Sequence, residues 1–195
     1  MSPVASLDRA EPEARRSCLL GQKDRMPTPR TGRLRWRLAT AADAEAIAKL
    51  HAESWRRHYR GAYSDAFLDG DVVVDRLAVW SERLERPDAR YCTILAEDGH
   101  LVGFANTIFE DDPRWGALLD NLHVADQHQR RGIGSGLLAM TGRALVEHSR
   151  RSGLYVWVLE QNLGAQAWLT GADAAAFAGI ETVAQTFEVS PGEIR

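Results

Sequence analysis

Cysteine is scarce in this chain of 195 residues, which contains only Cys18 and Cys92. One of the two lies in a polar amino-terminal stretch, so a framework of structural disulfides is excluded, and the content is typical of a reducing cytoplasm. Long apolar runs are also missing, because none approaches the roughly 18–20 residues that cross a bilayer. The charged amino terminus lacks the form of a secretory signal. We therefore expect a cytoplasmic protein that neither spans nor binds a membrane.

An excess of one charge is lacking as well. The formal net charge is −3, which argues against broad nucleic-acid binding. The six histidines show no metal-ligand spacing with cysteine or carboxylate partners, so we expect no metal site. Hydrophobic residues make up 45% of the chain and charged residues 26%. These proportions predict one globular domain with a sizeable core.

Residues 1–32 have the composition of a disordered extension. They are rich in Arg, Pro, Ser, Asp and Glu and show neither the strand period nor the helix period,. Met1 and Met26 both stay open as the start of the protein. Regular patterning begins at Arg33, so the folded domain is predicted over residues 33–195.

The patterning predicts the order strand, helix, helix, hairpin, strand, helix, strand, helix, strand. The hairpin turn is placed at Asp98-Gly99, a strong short-range hairpin signal. A helix separates the β-prone runs "ALLDNLHV" and "LYVWVLEQN", which should therefore pair in parallel. The last run, "IETVAQTFEV", could form one strand or two short ones. This order predicts a mixed central sheet of the α/β (α+β) class, with helices on both faces.

The segment "QRRGIGSGLL", from Gln129 to Leu138, places two arginines and three alternating glycines directly before an apolar helical pattern. A helix start leaves backbone N–H groups unpaired and carries partial positive charge. Glycine admits a ligand close to the main chain, and adjacent guanidinium groups strengthen an anion site, for which phosphate is the expected guest. A Rossmann fingerprint fails at Leu137, and no P-loop Gly-Lys-Ser/Thr follows. A glycine-rich turn with incidental arginines is the alternative.

The stretch Gln129-Arg130-Arg131-Gly132-Ile133-Gly134 resembles the Q/R-x-x-G-x-G/A signature of the GNAT superfamily of N-acetyltransferases. It stands between a Leu122-x-Val124 strand end and a long helix, as it does in that family. The stretch "HAESWRRHYRG" is similar to the family's first helix, and "LYVWVLEQNLGAQAW" to its next strand and Asn-x-x-Ala helix start. The resemblance covers roughly Leu34 to Trp168.

This resemblance implies a GNAT-like fold and an acetyl-CoA-dependent N-acetyltransferase that acts by direct transfer in a ternary complex. The acceptor would be a primary amine of a small molecule or peptide, with Trp55 and Tyr59 in the acceptor wall. Asn162 would contact the pantetheine arm. Two further groups of residues would bind the cofactor: Leu122, His123 and Val124 beside the pantetheine and thioester, and Gln129, Arg130, Arg131, Gly132, Ile133, Gly134, Ser135 and Gly136 around the pyrophosphate.

Two residues are candidates for the acid–base chemistry. An alkylamine has a pKa near 10, so a base or a water wire must remove its proton. Asp120, just before the Leu-x-Val segment, is the candidate base, and a surface or turn-stabilising aspartate is the alternative. The family's usual tyrosine, seven positions after Asn162, is Leu169 here. Tyr155 is the candidate substitute as acid for the leaving thiol, and packing in the sheet is its alternative.

The carboxyl-terminal stretch departs from the family pattern. A Gly-aromatic turn is not clear in "TGADAAAFAG", so the last strands should be short or atypical, through divergence or through a shifted reading frame. An open sheet edge there leads to the hypothesis of a homodimer. The departures also lead to a second functional hypothesis, a catalytically degenerate acyl-CoA-binding module with a regulatory or structural role.

Overall fold

The strands and helices follow the predicted order, except that the second predicted helical region forms two helices. The computed structural model describes residues 34–86, 88–148, 153–170 and 181–187, the last of these as backbone only. Its strands are β1 (Arg35–Leu38), β2 (Tyr91–Glu97), β3 (Leu101–Asp112), β4 (Gly116–Val124), β5 (Gly153–Leu159) and β6 (Glu181–Phe187). Its α-helices are α1 (Ala44–His58), α2 (Asp65–Asp69), α3 (Val72–Glu85), α4 (Ile133–His148) and α5 (Leu163–Thr170). The predicted extension over residues 1–32 and the alanine-rich stretch over 171–180 lie outside the described residues.

The sheet contains its strands in chain order, β1 to β6. The first three pairings are antiparallel, whereas β4–β5 and β5–β6 are parallel. At the β2–β3 hairpin, Gly99 has a φ of +75° and the Asp98 amide donates to the His100 carbonyl at 2.9 Å. The predicted hairpin, the parallel β4–β5 pair and the mixed sheet are confirmed. The final run forms one strand, β6.

Each face of the central strands is covered by different helices. Leu95 and Phe104 are buried on one face against α1 and α3. Their neighbours along the strands, Ile94 and Ala105, are buried on the other face in the cluster that contains α4. Because successive side chains of a strand point to opposite faces, this alternation buries β2 and β3 on both sides. The predicted placement of helices on both faces is confirmed.

A buried polar contact joins α1 to α3. The Trp80 indole is fully buried and donates its Nε1–H to Nδ1 of His51 at 3.0 Å. A neutral imidazole that accepts at Nδ1 carries its proton at Nε2, so this bond sets the tautomer of His51. The contact fixes the orientation of α3 beside the carboxyl-terminal half of α1.

An ion-pair network holds the start of α1 to the edge of the sheet. Arg37 on β1 donates to both carboxylate oxygens of Asp43, at 2.7 and 2.8 Å, and to Glu97 at 2.6 Å. Asp43 also accepts from the Thr40 amide at 2.8 Å. The hydrogen bonds from Arg37, followed by those from Thr40, lower the pKa of Asp43 to about 2 against the opposing effect of burial,.

The substitution Asp43→Asn should lower the free energy of unfolding by about 1–2 kcal/mol at pH 7. The folded-state pKa of Asp43 lies below the unfolded value of about 3.9. Its contribution is therefore fully present above that pH and is lost as the pH falls through about 2. Urea unfolding of both proteins should show a difference that shrinks between about pH 5 and about pH 2.

Asp71→Asn is the matched control, because Asp71 is exposed and its side chain makes no cap hydrogen bond. It should change stability little at any pH. A deficit in Asp43→Asn that stays constant across the acid range would contradict the assignment.

Candidate functional site

A cleft of about 940 Å³ opens at the carboxyl end of β4 and β5. This volume lies at the upper end of the range for small-molecule sites, about 300–1,000 Å³. Both strands line the cleft, together with the start of α4, with α5, and with one face each of α1 and α3. The cleft therefore joins the predicted phosphate segment and the predicted acceptor wall in one continuous space.

The cleft exists because β4 and β5 separate. They pair only at Ala117–Leu154 and Leu118–Tyr155, although both strands continue beyond those residues. The register between β3 and β4 also slips at Asp120, since Asn106 pairs with Asn121 while Thr107 pairs with Leu119. An extra residue of this kind bends its strand and increases the local twist. The edge of β4 after Leu118 consequently faces the cleft, and its main-chain groups there can bind a ligand.

The predicted Leu-x-Val segment lies on this open edge. Leu122, His123 and Val124 all line the cleft. The His123 ring is 4.6 Å from the ring of His51, and its Nδ1 is 2.8 Å from the Ser54 hydroxyl. Burial, with a smaller contribution from the charge of His58, lowers the pKa of His123 to about 3,. The His123 side chain is therefore neutral at pH 7.

The predicted phosphate segment forms a turn at the start of α4. Arg130 and Gly132 have φ values of +59° and +79°, and successive N–H groups around such residues form anion-binding concavities. At the two ends of the segment, the Gln129 amide bonds to Asp126 and the Gly136 amide to the Gly132 carbonyl. Within the described ranges, the amides of residues 130–134 have no such main-chain acceptor,. The donors left for a ligand are thus in the middle of the predicted segment.

The two arginines of this segment lie differently. Arg130 lines the cleft, whereas Arg131 is exposed outside its lining. We call the segment from Gln129 to Gly136 the cradle. Its other residues on the lining are Gln129, Gly132, Gly134 and Ser135. Ile133 is buried in the core, and Gly136 lies against Trp36. Arg130 is therefore the side chain placed to meet a bound anion.

Glycine is required at three positions of the segment for different reasons. Gly132 needs its left-handed φ, and nothing lies within 4 Å of a Cβ placed there,. A Cβ on Gly134 would approach the indole of Trp168 to 3.3 Å, and one on Gly136 would lie 2.5 Å from the ring of Trp36. The last two glycines therefore admit tryptophan rings against the first turns of α4, a reason that the sequence analysis did not foresee.

Asn162 immediately precedes α5 and lines the cleft. Its Oδ1 accepts from the Ala165 amide at 3.1 Å, which makes Asn162 the cap of that helix,. This bond fixes the side-chain amide with its NH₂ group left over, and no described residue accepts from that group. The predicted pantetheine contact has the donor that it requires.

Asp120, the residue at the β4 bulge, is fixed through one carboxylate oxygen. Its Oδ2 accepts from Arg83 at 2.7 Å, from Asn106 at 3.1 Å and from Asn121 at 2.7 Å. The other oxygen, Oδ1, accepts from none of the described residues. Three donors therefore orient the carboxylate of Asp120. Because Asp120 lines the cleft, its Oδ1 can accept a hydrogen bond from a ligand.

Tyr155, the predicted thiol acid, is not brought to the cleft. Its side chain is buried in the sheet, and its hydroxyl donates to Asp111. Burial, together with that carboxylate, raises the pKa of Tyr155,. Leu169, at the position of the family's tyrosine, does line the cleft. The hydroxyl that the sequence analysis proposed as a substitute thus points elsewhere.

The predicted acceptor wall is a stack of aromatic rings. The Trp55 ring lies 5.1 Å from that of Tyr59 and 4.7 Å from that of Tyr63, at angles of 22° and 26°. All three line the cleft. Burial, with smaller contributions from the neighbouring Tyr63 and from the carboxylate of Asp120, raises the pKa of Tyr59 to about 12. The wall is therefore uncharged and offers flat apolar surfaces with hydroxyl groups.

Sequence reasoning missed the contribution of α3. Arg76, Val79, Trp80 and Arg83 line the cleft, and the spacing of three, four and seven residues puts them on one helix face. That spacing was visible in "RLAVWSER". It was not linked to the site because the partner residues on α1 and β4 are distant in the chain.

The described residues contain no group of three or more His, Cys, Asp or Glu side chains that could hold a metal ion. None of their helices is both long enough and apolar enough to cross a bilayer.

Comparison with known proteins agrees with the geometry. Residues 45–170 match the model of the acetyltransferase (GNAT) family. The chain is 29% identical over 130 residues to the uncharacterized N-acetyltransferase YuaI of Bacillus subtilis (strain 168), which covers 65% of this chain and 72% of that protein.

Two solved structures share the fold. The PaiA N-acetyltransferase from Thermoplasma acidophilum, in complex with coenzyme A, is 20% identical with a TM-score of 0.55, over 70% of this chain and 87% of that one. An aminoglycoside N-acetyltransferase, AAC(6')-Iy, in complex with CoA, is 19% identical with a TM-score of 0.56, over 86% and 99%. Because the family match spans more than half of its residues, this chain belongs to the GNAT family of acetyltransferases.

Proposed function

We propose that the chain is a cytoplasmic, acetyl-CoA-dependent N-acetyltransferase that acts by direct transfer on a primary amine of a small molecule or peptide. One observation supports this most strongly. The open edge of β4 and the donor-rich start of α4 face the same cleft, and that cleft continues to the carboxylate of Asp120 and the aromatic wall.

The residues present fit coenzyme A. The amides of residues 130–134, which have no main-chain acceptor among the described residues, and the guanidinium of Arg130 suit a diphosphate,. The β4 edge at Leu122–Val124 and the amide of Asn162 suit the two peptide-like groups of the pantetheine arm. When bound, acetyl-CoA supplies the acetyl group and a thiol as leaving group.

Asp120 is the residue that we propose to receive the amine. Its Oδ2 is held by Arg83, Asn106 and Asn121, which leaves Oδ1 to accept a hydrogen bond from the acceptor nitrogen. Asn106 is itself oriented by the Thr93 hydroxyl at 2.8 Å. Thr93 and Asn106 therefore act as positioning residues that keep the carboxylate in place.

A second candidate function keeps the cofactor site without turnover. Leu169 stands on the cleft where the family has a tyrosine, and the Tyr155 hydroxyl is bonded to Asp111. These facts favour a regulatory or structural acyl-CoA-binding module. An enzyme could still act without the tyrosine, because a thiol with a pKa near 8.5 leaves tolerably as thiolate if the amine is well placed. An assay of thiol release therefore separates the two functions. Tight binding without release across an amine panel would support the module.

We also propose a homodimer. β6 ends the described sheet, and its outer edge pairs with no other described strand. A second copy would cover that edge.

Arg130→Gln should weaken binding of acetyl-CoA about 10- to 100-fold, because it removes a charge-assisted hydrogen bond to phosphate. Isothermal titration calorimetry measures this dissociation constant directly. Arg131→Gln is the matched control, since Arg131 lies outside the cleft lining, and its effect should be clearly smaller. Equal effects of the two substitutions, or absence of binding to the unsubstituted protein, would overturn the cofactor assignment.

Asp120→Asn should lower kcat/KM for the best amine about 10²- to 10⁴-fold, while the dissociation constant of acetyl-CoA changes little. The reason is that Asn keeps the shape of the side chain but cannot accept a proton. Steady-state thiol release measures the rate. Asp98→Asn, in the β2–β3 turn, controls for a change of charge elsewhere. An unchanged rate in Asp120→Asn would leave Asp120 with only a structural role.

A further inference from the structure

The acceptor end of the cleft carries two cationic side chains on one face of α3. Arg76 and Arg83 are seven residues apart, which on an α-helix is about 10 Å. Both line the cleft, and among the described lining residues the one carboxylate is that of Asp120. For a site that receives an amine, this charge balance is unexpected and constrains the acceptor.

Aromatic rings hold both guanidinium groups in place. The Arg76 guanidinium lies 4.3 Å from the centre of the Trp55 ring, and that of Arg83 lies 5.0 Å from the centre of the Trp80 ring. Such stacking fixes the plane of the guanidinium and therefore the direction of its donors. The two guanidinium groups therefore have fixed positions on the surface of the cleft.

The two arginines differ in what remains for a ligand. Arg83 is neutralised within the cleft by Asp120, at 2.7 Å. Arg76 pairs through Nε and Nη2 with Asp75, which is not on the cleft lining. The Arg76 Nη1 group donates to none of the described residues. Toward the described residues Arg83 uses only Nη1, so both arginines keep donors for a ligand, but of the two only Arg76 has its partner carboxylate outside the cleft lining.

The histidines nearby do not supply a second binding charge. The pKa of His51 is well below its ordinary value, first because of burial and then because of nearby groups that include the guanidinium groups of Arg76 and Arg83. Arg76, whose partner Asp75 lies off the lining, is thus the side chain that this acceptor end of the cleft offers to an anionic group on the ligand,.

We propose that the acceptor is an amino acid whose amine and carboxylate are separated by several bonds. Its carboxylate binds the Arg76 Nη1 group, its chain lies along the rings of Trp55 and Tyr63, and its amine lies at Asp120. This inference rests on the proposed function and adds the substrate class. The separation reflects the helical rise of about 10 Å between the Cα atoms of Arg76 and Arg83, because Asp120 is paired with Arg83,. A simple alkylamine or a polyamine would leave the Arg76 donors unsatisfied and bring a further positive charge to the site.

The test uses a series of ω-amino acids of increasing chain length, each compared with its uncharged carboxamide, with thiol release as the readout. At the best length, kcat/KM for the acid should exceed that of the amide about 10- to 100-fold, mainly through KM. Arg76→Gln should bring the ratio towards one, and Arg76→Lys should retain part of it, because lysine keeps the charge without the fork. Amides equal to or better than acids at every length would overturn the proposal.

Two controls keep the result interpretable. Arg86→Gln, at an exposed position just after α3, should leave the ratio of acid to amide unchanged. If no amine supports release, calorimetric titration of the acids into the protein–CoA complex replaces the rate, and equal affinity in the unsubstituted protein and in Arg76→Gln would again overturn the proposal. Failure to bind acetyl-CoA would instead contradict the proposed function, and thiol release with amides preferred would contradict only the acceptor class.

Discussion

The site depends on the early separation of two parallel strands. β4 and β5 pair over two residues and then diverge, so beyond Leu118 the edge of β4 that faces β5 has no partner among the described strands, although its other edge pairs with β3. Unpaired backbone groups away from water are costly, and a structure that keeps them open is poised for a ligand with peptide-like groups. The bulge at Asp120 lies at this point and turns a carboxylate towards the same space.

The start of α4 and the helix α5 form the walls of that space, and tryptophan packing sets their spacing. Trp168 of α5 lies against Gly134, and Trp36 of β1 lies against Gly136. The glycines therefore have two roles. Gly132 has the left-handed backbone conformation that shapes the cradle, and Gly134 and Gly136 allow close contacts with tryptophan rings. A larger residue at either of the latter would displace a ring and alter the width of the cleft.

Local patterns in the sequence were sufficient for most of the fold. The Asp98-Gly99 turn, the periodicity of α1 and α4 and the crossover from β4 to β5 are each determined by neighbouring residues, so the element order and the parallel pair were predictable. The cradle was predictable for the same reason, because its glycines and Arg130 are adjacent in the chain. The acceptor side was predictable only in part. Trp55, Tyr59 and Asp120 were identified in the sequence and line the cleft. Arg76 joins them only through tertiary packing, and the Tyr155 hydroxyl turns to Asp111, a residue 44 positions away.

Amide hydrogen exchange with and without CoA tests the central claim most directly. The account predicts that amides on the open edge of β4 after Leu118, and those of residues 130–134, exchange readily in the unliganded protein and become strongly protected when CoA is added, while the β2–β3 core is protected in both states. Protection of these amides before CoA is added, or exchange that CoA leaves unchanged, would contradict the claim that the separated strands and the α4 cradle form the cofactor site.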